Sequence, residues 1–242
     1  MTAPVESSGD LLLVTGLEAG YGGAPIVRGI DLAVGKGMLT CVVGPNGAGK
    51  STALKAIAGS IRATGGRVQL AGRDVTKLPT EERVGAGLGY VPQVANVFTT
   101  LTVLENLQIG AIRKRSRTKE NVEMVCGIFP DLKPALGRPA GTLSGGQRSM
   151  LALSRALMAD PLLLLLDEPT AGLAPRVEEQ VWDHILNIQS RGISILVVEQ
   201  NTRRALTHAG WAYVMVDGAL ASQGPGLDLL GRQELVDMYL GG

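Results

Sequence analysis

Two runs in the second half of the chain, residues 162–166 and 193–198, are apolar at nearly every position. A strand with one wet face alternates polar and apolar side chains, so a run without alternation is a strand covered on both faces. Helical periodicity at 177–189 and 202–209 accompanies these strands. The pattern predicts an α/β fold around a mostly parallel sheet. With 242 residues, 45% of them hydrophobic, the chain can bury such a core. That length suits one large domain, or one domain carrying a smaller lobe.

The first third reads as short strands at 11–18, 29–34, 38–43 and 67–70. Tyr21-Gly22-Gly23, Gly35-Lys36-Gly37 and Gly65-Gly66 separate them. A helix is expected from near Gly49 through Ala58, with Gly59 ending it. The middle, about 100–158, is expected to be mostly helical. Leu101, Val103, Leu104 and Leu107 give one apolar face there, and Val122, Val125, Ile128 and Phe129 another. Residues 211–222 read as a hairpin turning at Asp217-Gly218.

Composition narrows the function classes. The 23 basic residues against 22 acidic ones leave a formal charge of +1, which gives no electrostatic case for nucleic-acid binding. Cys41 and Cys126 are the only cysteines and form no metal or redox spacing. Cys41, inside an apolar run, reads as a core thiol in a reducing cytosol. Residues 1–10 carry no secretion-signal pattern. The run 162–166 is far shorter than the ~20 residues of a membrane span, so any work at a membrane needs other chains to cross it.

Chemistry enters at Gly44, Pro45, Asn46, Gly47, Ala48, Gly49, Lys50 and Ser51, the phosphate-loop pattern of Gly, four residues and Gly-Lys-Ser. The apolar strand at 40–43 feeds it, and the helix expected from near Gly49, which carries Thr52 as a further binding candidate, follows. Glycines let the backbone curl until several N–H groups face one anion, and the helix N-terminus adds positive potential. Lys50 is expected to reach the β- and γ-phosphates, and Ser51 to offer a hydroxyl to Mg²⁺. Asp167 and Glu168 follow the apolar run, at the carboxyl edge of the sheet where ligands bind in open α/β folds. There Asp167 would hold Mg²⁺ through water, and Glu168 would deprotonate an attacking water.

Between these motifs stands Leu143-Ser144-Gly145-Gly146-Gln147, opening a helix that includes Met150, Leu151, Leu153 and Leu157. A serine hydroxyl, glycine N–H groups and a helix start make a second anion site. With this segment the sequence resembles the ABC ATPase family over essentially its whole length. The resemblance implies a P-loop NTPase fold of the ABC ATPase type, with a mostly parallel core sheet, an N-terminal antiparallel β subdomain and a helical signature subdomain. It implies a single domain over 1–242, the core and β subdomain at about 1–93 and 159–242 and the helical part at about 94–158. ATP and Mg²⁺ are the implied ligands. Tyr21 matches the aromatic that stacks on adenine, and Gln93 the glutamine that touches Mg²⁺ and water. Ser144, Gly145, Gly146 and Gln147 would close over the γ-phosphate held by a second ATPase subunit, packed head to tail.

Two positions depart from the family pattern. Gln200 stands where most members place a histidine against the γ-phosphate, and it cannot become cationic. Ala174 stands where they place an aspartate. Neither His208 nor His184 replaces the missing histidine; both read as helix residues. Val197-Val198-Glu199-Gln200-Asn201, Ala171-Gly172-Leu173-Ala174-Pro175 and the tail Tyr239-Leu240-Gly241-Gly242 resemble the smaller ATP-binding subunit of branched-chain and other hydrophobic amino-acid importers. That subfamily implies transmembrane permease subunits as partners, a second ATPase subunit as heterodimer or homodimer mate, and an indirect link to a solute receptor. It implies a place on the inner face of the cell membrane, with no nucleic acid involved.

Three alternatives stay open. A GTPase or small-molecule kinase needs a guanine-reading segment or a substrate lid, neither visible. DNA-repair and chromosome-organising heads are split by long coiled coils, whereas only about ninety residues separate Lys50 from Ser144. A regulatory, non-hydrolysing nucleotide binder is suggested by Gln200, although Glu168 favours an active enzyme. The basic run 113–119 reads as a solvated loop between helices, with lipid head groups as the alternative. The segment 94–106, with Val97, Phe98, Leu101 and Leu104, is the better interaction candidate, and Val97, Phe98 and Leu101 are expected to be partly exposed.

Overall fold

A computed structural model of the chain describes residues 9–94 and 97–232, apart from the side chain of Arg115. The tail motif at 239–242, residues 1–8 and positions 95–96 of the segment 94–106 lie outside the described residues. In chain order the elements are β1 (Asp10–Ala19), β2 (Val27–Gly35), β3 (Leu39–Val43), α1 (Lys50–Ala58), β4 (Ala63–Leu70), β5 (Arg73–Asp74), α2 (Thr80–Gly85) and β6 (Leu88–Val91). Then come α3 (Val103–Gly110), α4 (Thr118–Ile128) and α5 (Gly145–Leu157), with short 3₁₀ turns between them. The chain continues with β7 (Leu163–Asp167), α6 (Pro175–Ser190), β8 (Ser194–Glu199), α7 (Thr202–His208), β9 (Trp211–Val216), β10 (Ala219–Gly224) and α8 (Gly226–Leu230).

Two sheets form. One runs β2-β1-β4-β5 and is antiparallel; the other runs β10-β9-β3-β8-β7-β6, parallel except for the closing β9–β10 hairpin. Burial explains the continuous apolar runs. Leu163, Leu165, Leu196, Val198 and Val42 pack with α1 and the antiparallel sheet, through Leu54, Ile57, Leu12 and Val14. Leu164, Leu166, Ile195, Val197 and Cys41 pack on the other side with Leu151, Trp182, Ile185 and Leu206 of α5, α6 and α7. Each buried leucine contributes ~1.5–3 kcal/mol relative to exposure, so both faces hold the sheet.

Helix α1 ends where expected, at Gly59 with φ 77. Its last carbonyls gain a second stop from Arg83, a guanidinium only 2% exposed. Arg83 donates to the carbonyls of Ala56 at 2.8 Å, Ile57 at 2.6 Å, Thr76 at 2.7 Å and Leu78 at 2.9 Å. This holds the far end of the phosphate-loop helix against α2.

The structure corrects several expectations. Gly65-Gly66 does not break the chain between strands; it lies inside β4, opposite a bulge in β1. Gly66, at φ 78, approaches the Gly16 carbonyl so closely that a Cβ would collide with it. Met38, Leu162 and Ile193 fall just outside the strands expected to contain them. The elements β5, α2, β6 and α8 had no periodic signal and were not expected. The basic run is also more than a loop, since Arg115–Arg117 forms a 3₁₀ turn and α4 begins at Thr118. Lys114 and Arg117 pair with Asp160 at 3.3 and 2.9 Å. Among the described residues no helix is long and apolar enough to cross a membrane.

Candidate functional site

Strand β3 delivers the chain to the phosphate loop with Val43 paired to Glu199 of β8. Gly44 has φ 151, and a Cβ there would strike the Met215 carbonyl of β9. Gly49, at φ 99, caps α1 without a side-chain bond. The first N–H groups of that helix therefore remain for a ligand. Pro45, Asn46 and Gly47 are exposed, while Ala48, Gly49 and Thr52 are buried and Ser51 half-buried. Gly218, in the β9–β10 turn, donates to the Ala48 carbonyl at 2.9 Å and braces the loop from behind.

Lys50 is 4% exposed, and its Nζ donates to the carbonyls of Gly44 at 2.8 Å and Pro45 at 3.0 Å. The ammonium thus lies across the mouth of its own loop. Burial lowers its pKa, and the nearby carboxylates of Glu168, Glu199 and Asp167 oppose that shift.

The acidic end of β7 lies alongside. Ser51 donates from Oγ to Asp167 Oδ1 at 2.6 Å, and Tyr90 from its hydroxyl to Asp167 Oδ2 at 3.4 Å. Burial raises the Tyr90 pKa, with Asp167 adding to it, so the phenol stays a donor. Glu168 takes the left-handed region at φ 46, unusual for a residue with a side chain. Its N–H donates to the Val198 carbonyl at 3.0 Å, which ties the turn to β8. Gln93 donates from Nε2 to Glu168 Oε2 at 2.8 Å, so these two expected site residues are brought together. Gln200 follows β8 and is exposed. Tyr21, 61% exposed on the loop after β1, is near enough to Tyr90 to add to its shift.

Three residues in this cluster had no assigned role in the sequence reading: Tyr90, Thr170 and Glu199. Glu199 was legible in principle, because a carboxylate ending an apolar parallel strand falls on the ligand edge of the sheet. Its side chain is 2% exposed and accepts from Thr170 and from the Gln200 amide.

Ser144–Gln147 belongs to a different part of the molecule. Ser144 caps α5, its Oγ accepting from the Gln147 amide at 3.2 Å while the Gln147 side chain accepts from Ser144 N–H at 3.1 Å. Gly146 approaches Val177 of α6 closely, and Gly145 faces Leu173. Its hydrogen bonds close within one exposed turn, whereas the phosphate loop bonds to β7 and the β9–β10 turn. Ala174, at the start of α6, is exposed.

Beyond Gln93, Val94 is 73% and Phe98 46% exposed, with Val97 and Leu101 half-buried. The partial exposure expected of Val97, Phe98 and Leu101 is present. Asn106, fully buried, clamps it by accepting from Phe98 N–H at 2.8 Å and donating to the Phe98 carbonyl at 3.0 Å. The Arg155 guanidinium lies 4.9 Å from the Phe98 ring centre. His184 and His208 are half-buried, packed against Phe129 and Trp182 at centroid distances of 4.7 and 5.1 Å.

Residues 27–171 match the protein-family model described as ABC transporter. The chain is 41% identical to a probable branched-chain amino acid transport ATP-binding protein of Archaeoglobus fulgidus, over 96% of this chain and 99% of that protein. A high-affinity branched-chain amino acid transport ATP-binding protein of Pseudomonas aeruginosa is 38% identical, over 92% of this chain and 96% of its own length. A solved structure of an ATP-binding cassette of an ABC transporter, in its ADP conformation, is similar with a TM-score of 0.83. It shares 30% identity and covers 94% of this chain and 97% of that one.

Proposed function

The chain belongs to the ABC transporter family, in which ATP hydrolysis is coupled to transport, and on that premise we propose that it powers import of branched-chain or other hydrophobic amino acids. The amino-acid class rests on the similarity to the Archaeoglobus and Pseudomonas proteins along nearly the whole chain.

For the site, the supporting observation is the row of bonds at the carboxyl edge of the core sheet, Ser51 to Asp167 and Gln93 to Glu168. In this reading the loop from Gly44 to Thr52 cradles ATP, and Lys50 turns from its own carbonyls to the β- and γ-phosphates. Tyr21 stacks on the adenine. Glu168 accepts the proton of the attacking water, with Gln93 holding its carboxylate in place, and Gln200 donates a neutral bond to the γ-phosphate. Ser51 and Asp167 would hold Mg²⁺, with Gln93 near it, and the ion when bound would supply positive charge to the phosphates. Two oxygen donors 2.6 Å apart suit a hard cation. Among the described residues no group of three His, Cys, Asp or Glu could hold a metal. A cation that arrives with a nucleotide needs only one or two protein oxygens, because water and phosphate supply the rest.

Ser144–Gln147 would complete the site of a second ATP-binding subunit, a related chain in a heterodimer or another copy of this one. Residues 1–242 would act as one ATPase domain, with the helical part at about 94–158 carrying the signature. Permease subunits would dock on Val97, Phe98 and Leu101 at the inner face of the cell membrane, and the solute receptor would be reached only through them. ATP drives closure through its higher affinity for the closed pair, since equal affinity for both states would shift nothing.

Reconstitution with the permease partners in proteoliposomes tests the proposal. Labelled leucine, isoleucine or valine should accumulate with ATP and not with the Lys50→Ala chain. ATP-dependent uptake of another solute, unaffected by excess leucine, would contradict the amino-acid assignment.

A further inference from the structure

Glu199 is a buried carboxylate with no part in the roles above. It ends β8 beside Val43, the residue before the phosphate loop. Its oxygens serve two different loops. Oε1 accepts from the Thr170 hydroxyl at 2.7 Å and the Thr170 amide at 3.3 Å. Oε2 accepts from the Gln200 amide at 3.0 Å. Thr170 lies two residues beyond Glu168, whose left-handed backbone persists only where its surroundings over-determine it. The Glu168–Val198 bond holds that turn on one side. The Thr170–Glu199 bonds hold it on the other.

We propose that Glu199 is a positioning residue for hydrolysis, its carboxylate clamping the turn that carries Glu168 to the amide of Gln200. Base and γ-phosphate contact then keep one placement relative to Lys50, in whose field Glu199 also stands. The inference rests on the reading of Glu168 as base. Burial raises the pKa of Glu199, the bonds from Thr170 and Gln200 oppose the shift, and Glu168 adds to it. Glutamine at this position keeps an acceptor for Thr170, so Glu199→Gln is expected to act on turnover more than on melting.

The test uses the full-length chain assembled with its partners, and compares Glu199→Gln, Glu199→Ala, Thr170→Ser, Thr170→Val and Glu168→Gln. Glu199→Ala and Thr170→Val should each lower kcat about tenfold, with KM for ATP within about threefold of wild type. Glu199→Gln should fall between, because one carbonyl oxygen still accepts from Thr170, and Thr170→Ser should restore most of the rate. Combining Glu199→Ala with Thr170→Val should add little to either alone. The melting temperature of Glu199→Gln should stay within about 3 °C of wild type. If Glu199→Ala does not fold, Glu199→Gln and the Thr170 pair carry the test. Wild-type kcat in Glu199→Gln and Thr170→Val, or losses that follow lowered melting temperature in every variant, would overturn the inference. Wild-type turnover in Glu168→Gln would instead overturn the reading of the base. An inert Glu168→Gln beside fully active Glu199 variants would sink the clamp alone.

Discussion

The carboxyl edge of the core sheet and the first turn of α5 both offer hydroxyls and backbone N–H groups to an anion, yet they are assembled in opposite ways. At the sheet edge the bonds join residues far apart in the chain: 116 positions separate Ser51 from Asp167, and 75 separate Gln93 from Glu168. Lys50, Asp167 and Glu199 are buried there, so the arrangement exists only when the whole core has folded. The α5 turn is closed by bonds between residues three apart, Ser144 and Gln147, both at the surface. A capping box of that kind holds its shape locally. In the proposed reading, the first region binds and transforms a nucleotide and the second is presented to another ATP-binding subunit.

The widest separation of the two is expected from Glu168→Gln. An amide cannot take a proton from water, so phosphate release should drop by about 10²-fold or more while binding of a fluorescent ATP analogue persists. Lys50→Ala removes the cation of the same edge and should weaken nucleotide binding itself by about 10²-fold. Unchanged affinity would remove the phosphate loop from the site.

Ser144→Arg probes the other region. ATP binding by the isolated chain should match wild type, and the lost cap should cost only about 1 kcal/mol. In the assembled complex, turnover should fall by at least about tenfold, because an arginine fills the place of an incoming γ-phosphate. Loss of nucleotide binding in the isolated chain would show that the two regions share one nucleotide.

Gln200→Ala should cost less than Ser144→Arg. A neutral contact is about half as strong as a charged one, so its loss should slow steady-state hydrolysis about tenfold at most. A larger loss than for Ser144→Arg would make this chain's own site the driver of the cycle. Phe98→Asp should change ATPase activity of the isolated chain least, within about twofold, yet abolish uptake in proteoliposomes, as expected of an apolar docking surface. Loss of both together would assign Phe98 to packing against Arg155.

The α5 turn was readable in sequence because its partners lie within one turn: serine, glycine and glutamine at capping-box spacing, then the apolar face of Met150, Leu151, Leu153 and Leu157. The same holds for α1, stopped by Gly59, and for β7 and β8, whose unbroken apolar runs reflect burial on both faces. What depended on distant partners was not readable. Strand β6 is four residues long with Gly89 inside it, and becomes a strand only by pairing with β7. The closeness of Gly66 to Gly16 requires the β1–β4 register. The burial of Arg83 requires α2, itself without a periodic signal, to lay it on the end of α1. At the site, motif spacing marked Lys50, Asp167 and Glu168 and the family resemblance marked Gln93, whereas Tyr90 and Thr170 gain their partners only through the fold.

Whether the two anion sites meet across two subunits is best tested with a photo-crosslinking residue in place of Ser144. In the assembled complex carrying Glu168→Gln, irradiation with ATP and Mg²⁺ should join position 144 to the phosphate loop of the other ATPase subunit, and irradiation without ATP should not. A cross-link from position 144 to residues 44–51 of the same chain, or one indifferent to ATP, would contradict the account.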